Sequence, residues 1–517
     1  MWPSMRLPSL DNRGLAVRRI VLMPKSFTVA VERLVVLTCL AAALSPAAPP
    51  NVVFFLADDL GWRDLGCYGS PFYETPNIDG LARSGARFTQ AYAACPVCSP
   101  TRASIMTGKY PVRLRVTDYI SPSGGNQPEQ WNRNTILLPS SYSDRMPLEE
   151  VTVAEAFRES GYATFFAGKW HMGPEGFWPQ DQGFDRNEGG WEHGGPWGGD
   201  NYFSPYGNPN LRDGPEREYL PLRLARETRR FISEQRDSPF FAYLSFYSVH
   251  TPLMTTQELE DKYAAKAAKF SFAGPRFMPE GFREARQVQD HAVYGGMVEA
   301  LDTAVGMVLD ALEENGLASK TIVVFMSDNG GLSTSEGSPT ANLPLRGGKG
   351  WMYEGGIREP MLIRAPGVSE PGSAIDAPVT SVDFYPTLLE LAGLRKRPEQ
   401  HVDGASLVPL LRGERFNRAP LYWHYPHYGN QGGAPSAAVR AGDWKLIKWY
   451  EDSSIEVYNL ANDPGERYDL AGLVPERSKS LQERLEAWLT NVDANMPAKN
   501  PKYDPDKPSG RYPPDRR

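Results

Sequence analysis

The sequence predicts an α/β protein: a large domain with a central, mostly parallel sheet flanked by helices, followed by a smaller subdomain with an antiparallel sheet and a helix. Three observations predict this fold. Four apolar runs have the length of strands that are buried on both faces, as in parallel sheets. Helical patterns alternate with these runs, and glycines follow them where helices tend to end. Near residue 400 the pattern changes to short stretches of alternating polarity.

The pattern divides the chain into four parts. Residues 1–48 form an N-terminal leader, 49–400 the large domain, 401–495 the C-terminal subdomain and 496–517 an extended tail. With 517 residues, the chain is long enough for more than one domain. Its 55 basic and 62 acidic residues lack the basic surplus that a broad nucleic-acid-binding surface needs, so we expect no nucleic-acid partner.

The leader has the features of a secretory signal. Lys25 and Arg33 precede an apolar run over 34–44, and the small residues of 45–48 follow it. The segment before Met23 is unusually long for a signal, so Met23 is a candidate for the true start. The apolar run is too short to span a bilayer comfortably. We therefore predict an exported protein, periplasmic or extracellular, without a stable membrane span after signal removal; an uncleaved anchor is the alternative.

Each of the four apolar runs ends in polar or charged side chains. In open α/β sheets, ligands bind at the carboxyl edge of the strands, so we expect these side chains to meet in one site rather than in four unrelated turns. The runs and the residues that follow them are 51–57 with Asp58 and Asp59, 164–167 with Lys169 and His171, 240–246 with His250, and 321–327 with Asp328 and Asn329.

These residues indicate a cation and an anion in the same site. The three aspartates and the asparagine offer only hard oxygen ligands, which suit Ca²⁺ or Mg²⁺ and not zinc. Lys169 and His171 lie two residues apart, and an extended segment would point both side chains to one face. A cation surrounded by lysines and histidines is typical of a pocket for a compact anion.

The remaining elements follow from periodicity. Helical patterns cover 149–160, 223–235 and 291–315. In the C-terminal subdomain, the stretches 437–440, 444–449 and 455–458 predict antiparallel strands. An amphipathic helix follows, with one apolar face formed by Leu481, Leu485, Trp488 and Leu489.

Cys98 stands at the start of another predicted helix. Ser99 is a good N-cap, Pro100 suits the first helical position and Gly108 is a plausible stop. Arg102 then lies in the first turn, and the helix N-terminus offers positive potential to an anion. A cysteine at this position is expected to have a lowered pKa and could act as a nucleophile.

The spacing of Cys95 and Cys98 also invites a redox or a zinc interpretation. A zinc site needs a second pair of soft ligands, and the sequence has no other close cysteine pair. A redox pair would leave Arg102 and the carboxylates without a role. Together with Cys67, three cysteines would remain after signal removal, so they cannot all pair. We assign the chemistry to Cys98 and treat Cys95 as a small neighbour.

Residues 98–108, CSPTRASIMTG, resemble the signature of the type I, formylglycine-dependent sulfatases, an arylsulfatase-like group of the alkaline phosphatase superfamily. Thr101 stands where serine is commoner in that family. The resemblance covers roughly residues 50 to 400. The other matching motifs, in the order of the family, are Asp58-Asp59, Gly168-Lys169-Trp170-His171, His250 with Pro252, Asp328-Asn329-Gly330, Gly347-Gly348-Lys349 and Tyr353-Glu354-Gly355-Gly356.

The resemblance implies that 49–400 is the catalytic domain of an exported sulfatase, with an alkaline-phosphatase-like fold and a carbohydrate sulfate ester as the expected substrate. A formylglycine-generating maturation enzyme would convert Cys98 to formylglycine. The hydrated aldehyde would attack sulfur with one hydroxyl and eliminate sulfate with the other. A phosphatase or phosphodiesterase on the same fold and a secreted Ca²⁺-stabilised binding protein are the alternatives.

The resemblance also implies a role for each site residue. Asp58, Asp59, Asp328 and Asn329 would hold one Ca²⁺ together with the modified Cys98. Arg102 would stabilise the hydrate. Lys169 and Lys349 would bind the sulfate oxygens, His171 would assist proton loss from the hydrate, and His250 would protonate or polarise the leaving oxygen.

Two segments are candidates for substrate binding. In the glycine-rich stretch 183–203, Trp191, His193 and Trp197 could line a sugar-binding cleft, or the tryptophans could only anchor the loop. The segment 423–433, WHYPHYGNQGG, is the second candidate, and the residues concerned there are His424 and His427. Both histidines could equally be packed structural residues.

Overall fold

A nine-stranded mixed sheet forms the centre of the protein, whose computed structural model describes residues 49–507. The predicted signal and the candidate start at Met23 lie outside the described residues. The strands are β1 (Asn51–Ala57), β2 (Ala86–Tyr92), β3 (Leu137–Leu138), β4 (Ala163–Gly168), β5 (Arg186–Glu188), β6 (Phe240–Ser245), β7 (Phe277–Glu280), β8 (Arg283–Arg286), β9 (Thr321–Ser327), β10 (Arg358–Arg364), β11 (Ser373–Ile375), β12 (Val379–Thr380), β13 (Leu421–Tyr425), β14 (Ser436–Ala441), β15 (Trp444–Trp449), β16 (Ile455–Asn459) and β17 (Ala498–Lys499).

Helices surround this sheet. The α-helices are Pro76–Ser84, Cys98–Thr107, Val153–Glu159, Leu220–Glu234, Gln257–Ala267, Ala292–Glu314, Glu354–Ile357, Phe384–Leu391, Val408–Leu411 and Pro475–Asn491. Short 3₁₀ turns occupy Gly66–Tyr68, Pro128–Gln130, Pro179–Gln182, Ala318–Lys320 and Ser381–Asp383.

The strand order of the large sheet is β11-β2-β10-β9-β1-β6-β4-β5, with β12 also paired to β2. The pairs among β9, β1, β6, β4 and β5 are all parallel, whereas β10 is antiparallel to both of its neighbours. The four strands predicted from the apolar runs are therefore adjacent. Their carboxyl ends lie at one edge of the sheet, as the sequence predicts.

The sheet separates two apolar cores, and the alternation of side chains along β1 shows why its whole sequence is apolar. Val53 and Phe55 pack into one core, and Phe54 and Leu56 pack into the other. Helices 220–234 and 292–314 cover the first face, and helices 98–107 and 153–159 cover the second. This two-sided burial confirms the predicted α/β fold class.

The helix Ala292–Glu314 is the one helix in the described part of the chain that is long and apolar enough to cross a membrane. About two thirds of its most apolar window is buried inside the protein, where it packs against the helices 220–234 and 257–267. We therefore describe it as a core helix.

The C-terminal region is an antiparallel sheet in the order β13-β14-β15-β16, with the helix Pro475–Asn491 packed on it through Leu481, Leu485 and Leu489. The predicted strands and helix are confirmed. The strand β13 was not predicted, because its sequence was assigned to a loop beginning at residue 423. The start of the tail pairs as β17 with β3.

A buried ion cluster connects this region to the large domain. Lys445 on β15 lies 3.1 Å from Glu354 Oε1 and 2.8 Å from Glu466 Oε1, and all three side chains are inaccessible to solvent. Tyr92 donates a hydrogen bond to the other oxygen of Glu354. Burial raises the pKa of Glu466 to about 7, although Lys445 opposes this shift. Lys445 therefore contacts two carboxylates that have no access to water; Arg358, 3.5 Å from Glu354 Oε2, is a second cation for Glu354, whereas Glu466 has Lys445 as its ion-pair partner.

We predict that Lys445→Met lowers the free energy of unfolding by about 3 to 5 kcal/mol, since it leaves the buried carboxylate of Glu466 without its cation. The loss should be larger at pH 8 than at pH 6. A carboxyl group with a raised pKa in the folded state destabilises the fold as the pH rises, and protonation at lower pH removes a buried charge. Urea unfolding at both pH values measures the effect.

Lys448→Met on the same strand is the matched control. Lys448 forms a partly exposed ion pair with Glu486, so its loss should cost less than about 1 kcal/mol. Equal losses for the two variants, or a Lys445→Met loss independent of pH, would contradict the prediction.

Candidate active site

The polar residues that follow β1, β4, β6 and β9 meet at the carboxyl edge of the large sheet. Asp58, Asp59 and Asp328 are fully buried, and one carboxylate oxygen from each lies within 4.8 Å of the other two. Asn329 donates from Nδ2 to Asp59 Oδ1 at 2.7 Å. The prediction of one shared site is confirmed for these residues.

The donor set of this cluster fits a hard divalent cation. Asp58 Oδ1 and Asn329 Oδ1 are buried oxygens without a hydrogen-bond partner in the structure. Buried oxygens of this kind usually have a partner, and a cation would supply one here. Carboxylate and amide oxygens are the ligands that Ca²⁺ and Mg²⁺ prefer. The cluster Asp58/Asp59/Asp328 is thus a candidate metal site whose donors fit the kind of cation that the sequence predicts.

Three cationic side chains compensate the three carboxylates. The contacts are Lys169 Nζ to Asp58 Oδ2 at 2.7 Å, Lys349 Nζ to Asp59 Oδ2 at 2.8 Å, and Arg102 Nε to Asp328 Oδ2 at 2.8 Å. The charges balance without a metal, so a bound divalent cation would leave the site positive. A positive site of this size attracts a compact anion.

The carboxylates of the cluster differ in their protonation equilibria. Burial raises the pKa of Asp58 well above its usual range, against the opposing charge of Lys169. Burial also raises the pKa of Asp59, but Lys349, His250 and Lys169 together hold it well below its usual value. Asp59 is therefore ionised, and it forms an ion pair with Lys349.

Cys98 is the first residue of the helix Cys98–Thr107, with Val97 as N-cap, so the helix starts two residues earlier than expected from an N-cap at Ser99. Gly108 ends it in the left-handed conformation, with φ 68°, as predicted. Every residue of this helix is buried. Cys98 therefore lies at a helix N-terminus that faces the sheet edge, where backbone N–H groups favour an anion.

The prediction of a lowered pKa for the Cys98 thiol is wrong. Burial raises the pKa of Cys98, and Asp58 and Asp328 add to the increase, while Lys169 and Lys349 oppose it. A buried thiol with a raised pKa is a poor thiolate nucleophile. Cys95 and Cys98 are both free thiols.

Hydroxyl groups hold the chain around Cys98 in place. Thr101 Oγ1 donates to the Cys95 carbonyl at 3.0 Å and accepts from the Cys95 N–H at 3.2 Å. Ser99 Oγ accepts from the backbone N–H of Ile120 at 3.0 Å, which fixes the segment 119–122 beside the helix. The hydroxyl that threonine shares with serine makes the contact at position 101.

His171 lines the cavity above Cys98. The strand β4 ends at Gly168 and His171 has φ 59°, so the predicted extended segment is wrong, although Lys169 and His171 both reach the site. His171 Nε2 lies 2.7 Å from the Ile120 carbonyl, which can only accept, so Nε2 carries the proton. Nδ1 is buried without a partner in the structure and is free to accept a proton. A Cβ on Gly194 would approach the His171 ring to 2.4 Å, so only glycine fits there.

His250 occupies the other side of the cluster. Its Nδ1 donates to the Thr251 carbonyl at 2.7 Å, and its Nε2 lies 3.7 Å from Asp59 Oδ2. Burial, together with Lys349, lowers the pKa of His250 to about 4, and burial lowers that of His171 well below its usual value. Both rings are neutral near pH 7 in the metal-free protein.

A cavity of about 360 Å³ opens onto these residues. Cys98, His171, His250 and Lys349 line it, whereas Lys169 and Arg102 lie beneath the lining and contact the carboxylates. Arg102 also donates to Ser245 Oγ and to the Lys169 carbonyl, so the structure places it against Asp328 rather than in the cavity.

Of the aromatic residues singled out in 183–203, Trp197 lines the cavity and packs edge-on against His250, with ring centroids 5.6 Å apart. Trp191 and His193 stack on each other and are not among the residues that line it. The Trp191 carbonyl accepts from the His171 N–H at 3.1 Å, so this residue supports the site from behind. A role of Trp191 and His193 in substrate binding stays a prediction.

His424 and His427 are buried and make structural contacts. His424 contacts Tyr450 Oη and the Asn495 carbonyl, and His427 contacts Thr117 Oγ1. Neither lines the cavity. The segment 423–433 nevertheless reaches it through Asn430 and Gln431.

Several cavity residues were missed by sequence reasoning. Asn430 and Gln431 belong to the candidate segment 423–433, although neither was singled out there, and the residues missed altogether are Tyr119, Ile120, Ser121, Pro122, Thr251 and Glu336. They lie in loops without a motif of their own, and only the position of Glu336 shortly after Asp328 could have suggested it. The chain folds these loops over the site through contacts between residues that are far apart in the sequence.

Comparisons with known proteins agree with this geometry. The family model "Sulfatase" matches residues 50–394, and the model "N-sulphoglucosamine sulphohydrolase, C-terminal" matches residues 348–495. The chain is 34% identical to human arylsulfatase A over 493 residues, which covers 89% of this chain and 91% of that protein. It is 33% identical to a sulfatase of Formosa agariphila over 530 residues, covering 87% and 91%.

Among solved structures, Ps i-CgsB in complex with k-i-k-neocarrahexaose is similar, with a TM-score of 0.70 and 30% identity. The match covers 85% of this chain and 92% of that chain. Since the family model spans most of the chain and the relatives are matched over nearly their whole length, the chain belongs to the sulfatase family and is a sulfuric ester hydrolase.

Proposed function

We propose that this sulfatase is exported and removes sulfate from a carbohydrate, with formylglycine derived from Cys98 as the nucleophile and one Ca²⁺ at the carboxylate cluster. The observation that carries this proposal is the position of Cys98. It lines the cavity beside Lys349, His171 and His250, and it lies close enough to Asp58 and Asp328 for their charges to affect its pKa.

The conversion of Cys98 explains why the thiol itself is unsuited to the reaction. A buried cysteine with a raised pKa is a weak nucleophile, whereas a hydrated aldehyde at the same position offers one hydroxyl for attack on sulfur and another for release of sulfate. A formylglycine-generating maturation enzyme is therefore a required partner of the chain.

The side chains around the cavity have distinct tasks. Lys349, which lines the cavity, holds sulfate oxygens, whereas Lys169 lies beneath the lining against Asp58 and adds positive charge to the site. A Ca²⁺ bound by Asp58, Asp59, Asp328 and Asn329 would add further positive charge on the side of the sulfate. His171 Nδ1, free of other partners in the described structure, accepts the proton from the hydrate. His250 interacts with the leaving oxygen. Arg102 holds Asp328 in place through a buried ion pair.

Two observations support a carbohydrate substrate. Ps i-CgsB, which is 30% identical to this chain, was solved in complex with k-i-k-neocarrahexaose. Trp197 and Tyr119 line the cavity with 49% and 43% of their surface exposed, and exposed aromatic rings offer flat apolar faces to sugar rings.

The first prediction concerns Cys98. In active protein, the tryptic peptide 88–102 should be about 18 Da lighter than the thiol form, and fragmentation should place the change at Cys98. Cys98→Ala should lower kcat by at least about 1000-fold, because the nucleophile is lost. Mass spectrometry and turnover of para-nitrophenyl sulfate measure the two effects.

Cys95→Ala is the matched control, since Cys95 is buried in the same segment but does not line the cavity. It should keep the mass change at Cys98 and most of the activity. An unmodified peptide from fully active protein, or full turnover by Cys98→Ala, would refute the formylglycine mechanism.

The second prediction concerns the metal. After chelation, added Ca²⁺ should raise the melting temperature and restore activity, because it binds only the folded carboxylate cluster. Asp328→Asn should abolish the Ca²⁺-dependent increase in melting temperature. Asp237→Asn, at an exposed carboxylate, should leave it unchanged. A melting temperature that responds to Zn²⁺ but not to Ca²⁺ would contradict the assignment of the ion.

The third prediction concerns export. Expression of the full chain in a Gram-negative host should yield periplasmic or secreted protein whose N-terminus, determined by sequencing, lies close to Ala48. Leu37→Arg should keep the protein in the cell, because it puts a charge into the apolar run. Exported protein with an intact N-terminus would instead indicate an uncleaved anchor.

A further inference from the structure

The geometry of the cavity wall points to Glu336 as a specificity-determining residue. We propose that its carboxylate accepts a hydrogen bond from a hydroxyl of an uncharged sugar and disfavours substrates with a second anionic group next to the sulfate that is cleaved. Glu336 can act in this way only if the site cleaves sulfate esters of sugars, as proposed above.

The hydrogen bonds of Glu336 leave one oxygen available. Oε1 accepts from Asn430 Nδ2 at 2.9 Å and from Gln431 Nε2 at 2.8 Å. Oε2 has a single long contact in the structure, 3.4 Å from Thr251 Oγ1. A carboxylate oxygen can accept two hydrogen bonds, so Oε2 retains the capacity to accept one from a ligand in the cavity.

The charges around the cavity provide for one anionic group. Lys349, His171 and His250 are the basic residues that line it, and all three belong to the site that receives the sulfate. The other lining residues include no lysine or arginine, and Glu336 is the acidic one among them. A second sulfate or a carboxylate on the same sugar would lose water there without gaining a cation, and Glu336 would repel it.

The backbone presents Glu336 in an unusual conformation. Glu336, Gly337 and Ser338 all have positive φ values, of 54°, 89° and 41°. The Ser338 N–H closes this turn on the Ser335 carbonyl at 2.8 Å. Non-glycine residues avoid the left-handed region, and such strain tends to occur at ligand-binding positions.

The remaining walls fit the ring of a sugar. Trp197 and Tyr119 are half exposed and line the same cavity as Glu336. An aromatic face beside a hydrogen-bond acceptor matches a ring that has apolar C–H faces and hydroxyl groups at its edge. The combination favours a neutral, hydroxyl-bearing sugar over a polyanionic one.

Glu336→Gln provides the test, because the amide keeps the shape of the side chain. Its carbonyl oxygen can still accept from Asn430 and Gln431, and its NH₂ then replaces the free acceptor with a donor. We compare para-nitrophenyl sulfate, a neutral hexose monosulfate, and the same hexose with a second sulfate on the adjacent carbon. All kinetics use protein in which mass spectrometry has confirmed conversion of Cys98.

For Glu336→Gln, kcat/KM for the monosulfate should fall about tenfold, mainly through KM, because one charge-assisted hydrogen bond is lost. The kcat/KM for the disulfate should rise about tenfold, since the variant no longer repels the second sulfate and gains an NH₂ donor that can bind it. Turnover of para-nitrophenyl sulfate, which has no hydroxyl group, should change less than that of either sugar sulfate and gives the reference for effects on the shared sulfate site. Glu216→Gln, an exposed residue that does not line the cavity, should leave all three values unchanged.

Calorimetry in the Cys98→Ala background measures binding without turnover. There, Glu336→Gln should weaken binding of the monosulfate and strengthen binding of the disulfate. An unchanged ratio of monosulfate to disulfate, or a wild-type preference for the disulfate, would overturn the role of Glu336 while leaving the sulfatase function intact. Wild-type protein that cleaves para-nitrophenyl sulfate but binds and cleaves no sugar sulfate would overturn both the carbohydrate proposal and the role of Glu336.

Discussion

The burial of three carboxylates at one edge of the sheet is the constraint on which the rest of the structure depends. Removing a carboxylate from water costs several kcal/mol unless an opposite charge accompanies it. Asp58, Asp59 and Asp328 follow two adjacent parallel strands, β1 and β9, so their charges necessarily accumulate in one place. Any stable fold of this chain must bring cations to that place, and Lys169, Lys349 and Arg102 meet this requirement.

The cations come from three separate segments, and each of them brings part of the catalytic site. Arg102 lies on the helix that begins with Cys98, Lys169 directly follows β4, and Lys349 lies in a glycine-rich loop. That loop can approach because its glycines leave space: a Cβ on Gly348 would lie 2.4 Å from the Gly331 carbonyl oxygen. The contacts that compensate the buried carboxylates therefore also assemble the candidate active site.

Compensation of buried charge also positions the C-terminal region, which contributes to the cavity. Its strand β15 carries Lys445, which compensates Glu354 of the large domain in a fully buried ion cluster. This contact, together with the apolar cluster that joins β13 to the segment 351–357, holds the C-terminal sheet beside the large one. The turn after β13 then places Asn430 and Gln431 against Glu336, so residues of the C-terminal region complete the wall that faces the substrate.

The sequence by itself determined the elements whose cause is local. Side-chain patterns within a few residues predict the apolar runs of β1, β4, β6 and β9, the polar groups at their ends and a helix close to Cys98.

The tertiary structure decided which other side chains reach the cavity. His424 and His427 turned inward to Tyr450 and Thr117, while Asn430 and Gln431 lined the cavity. It also decided the raised pKa of the Cys98 thiol, because burial and nearby carboxylates outweigh the helix N-terminus there. The choice of cavity-lining residues and the pKa of Cys98 both depend on packing between segments that are distant in the sequence, and no local pattern encodes this packing.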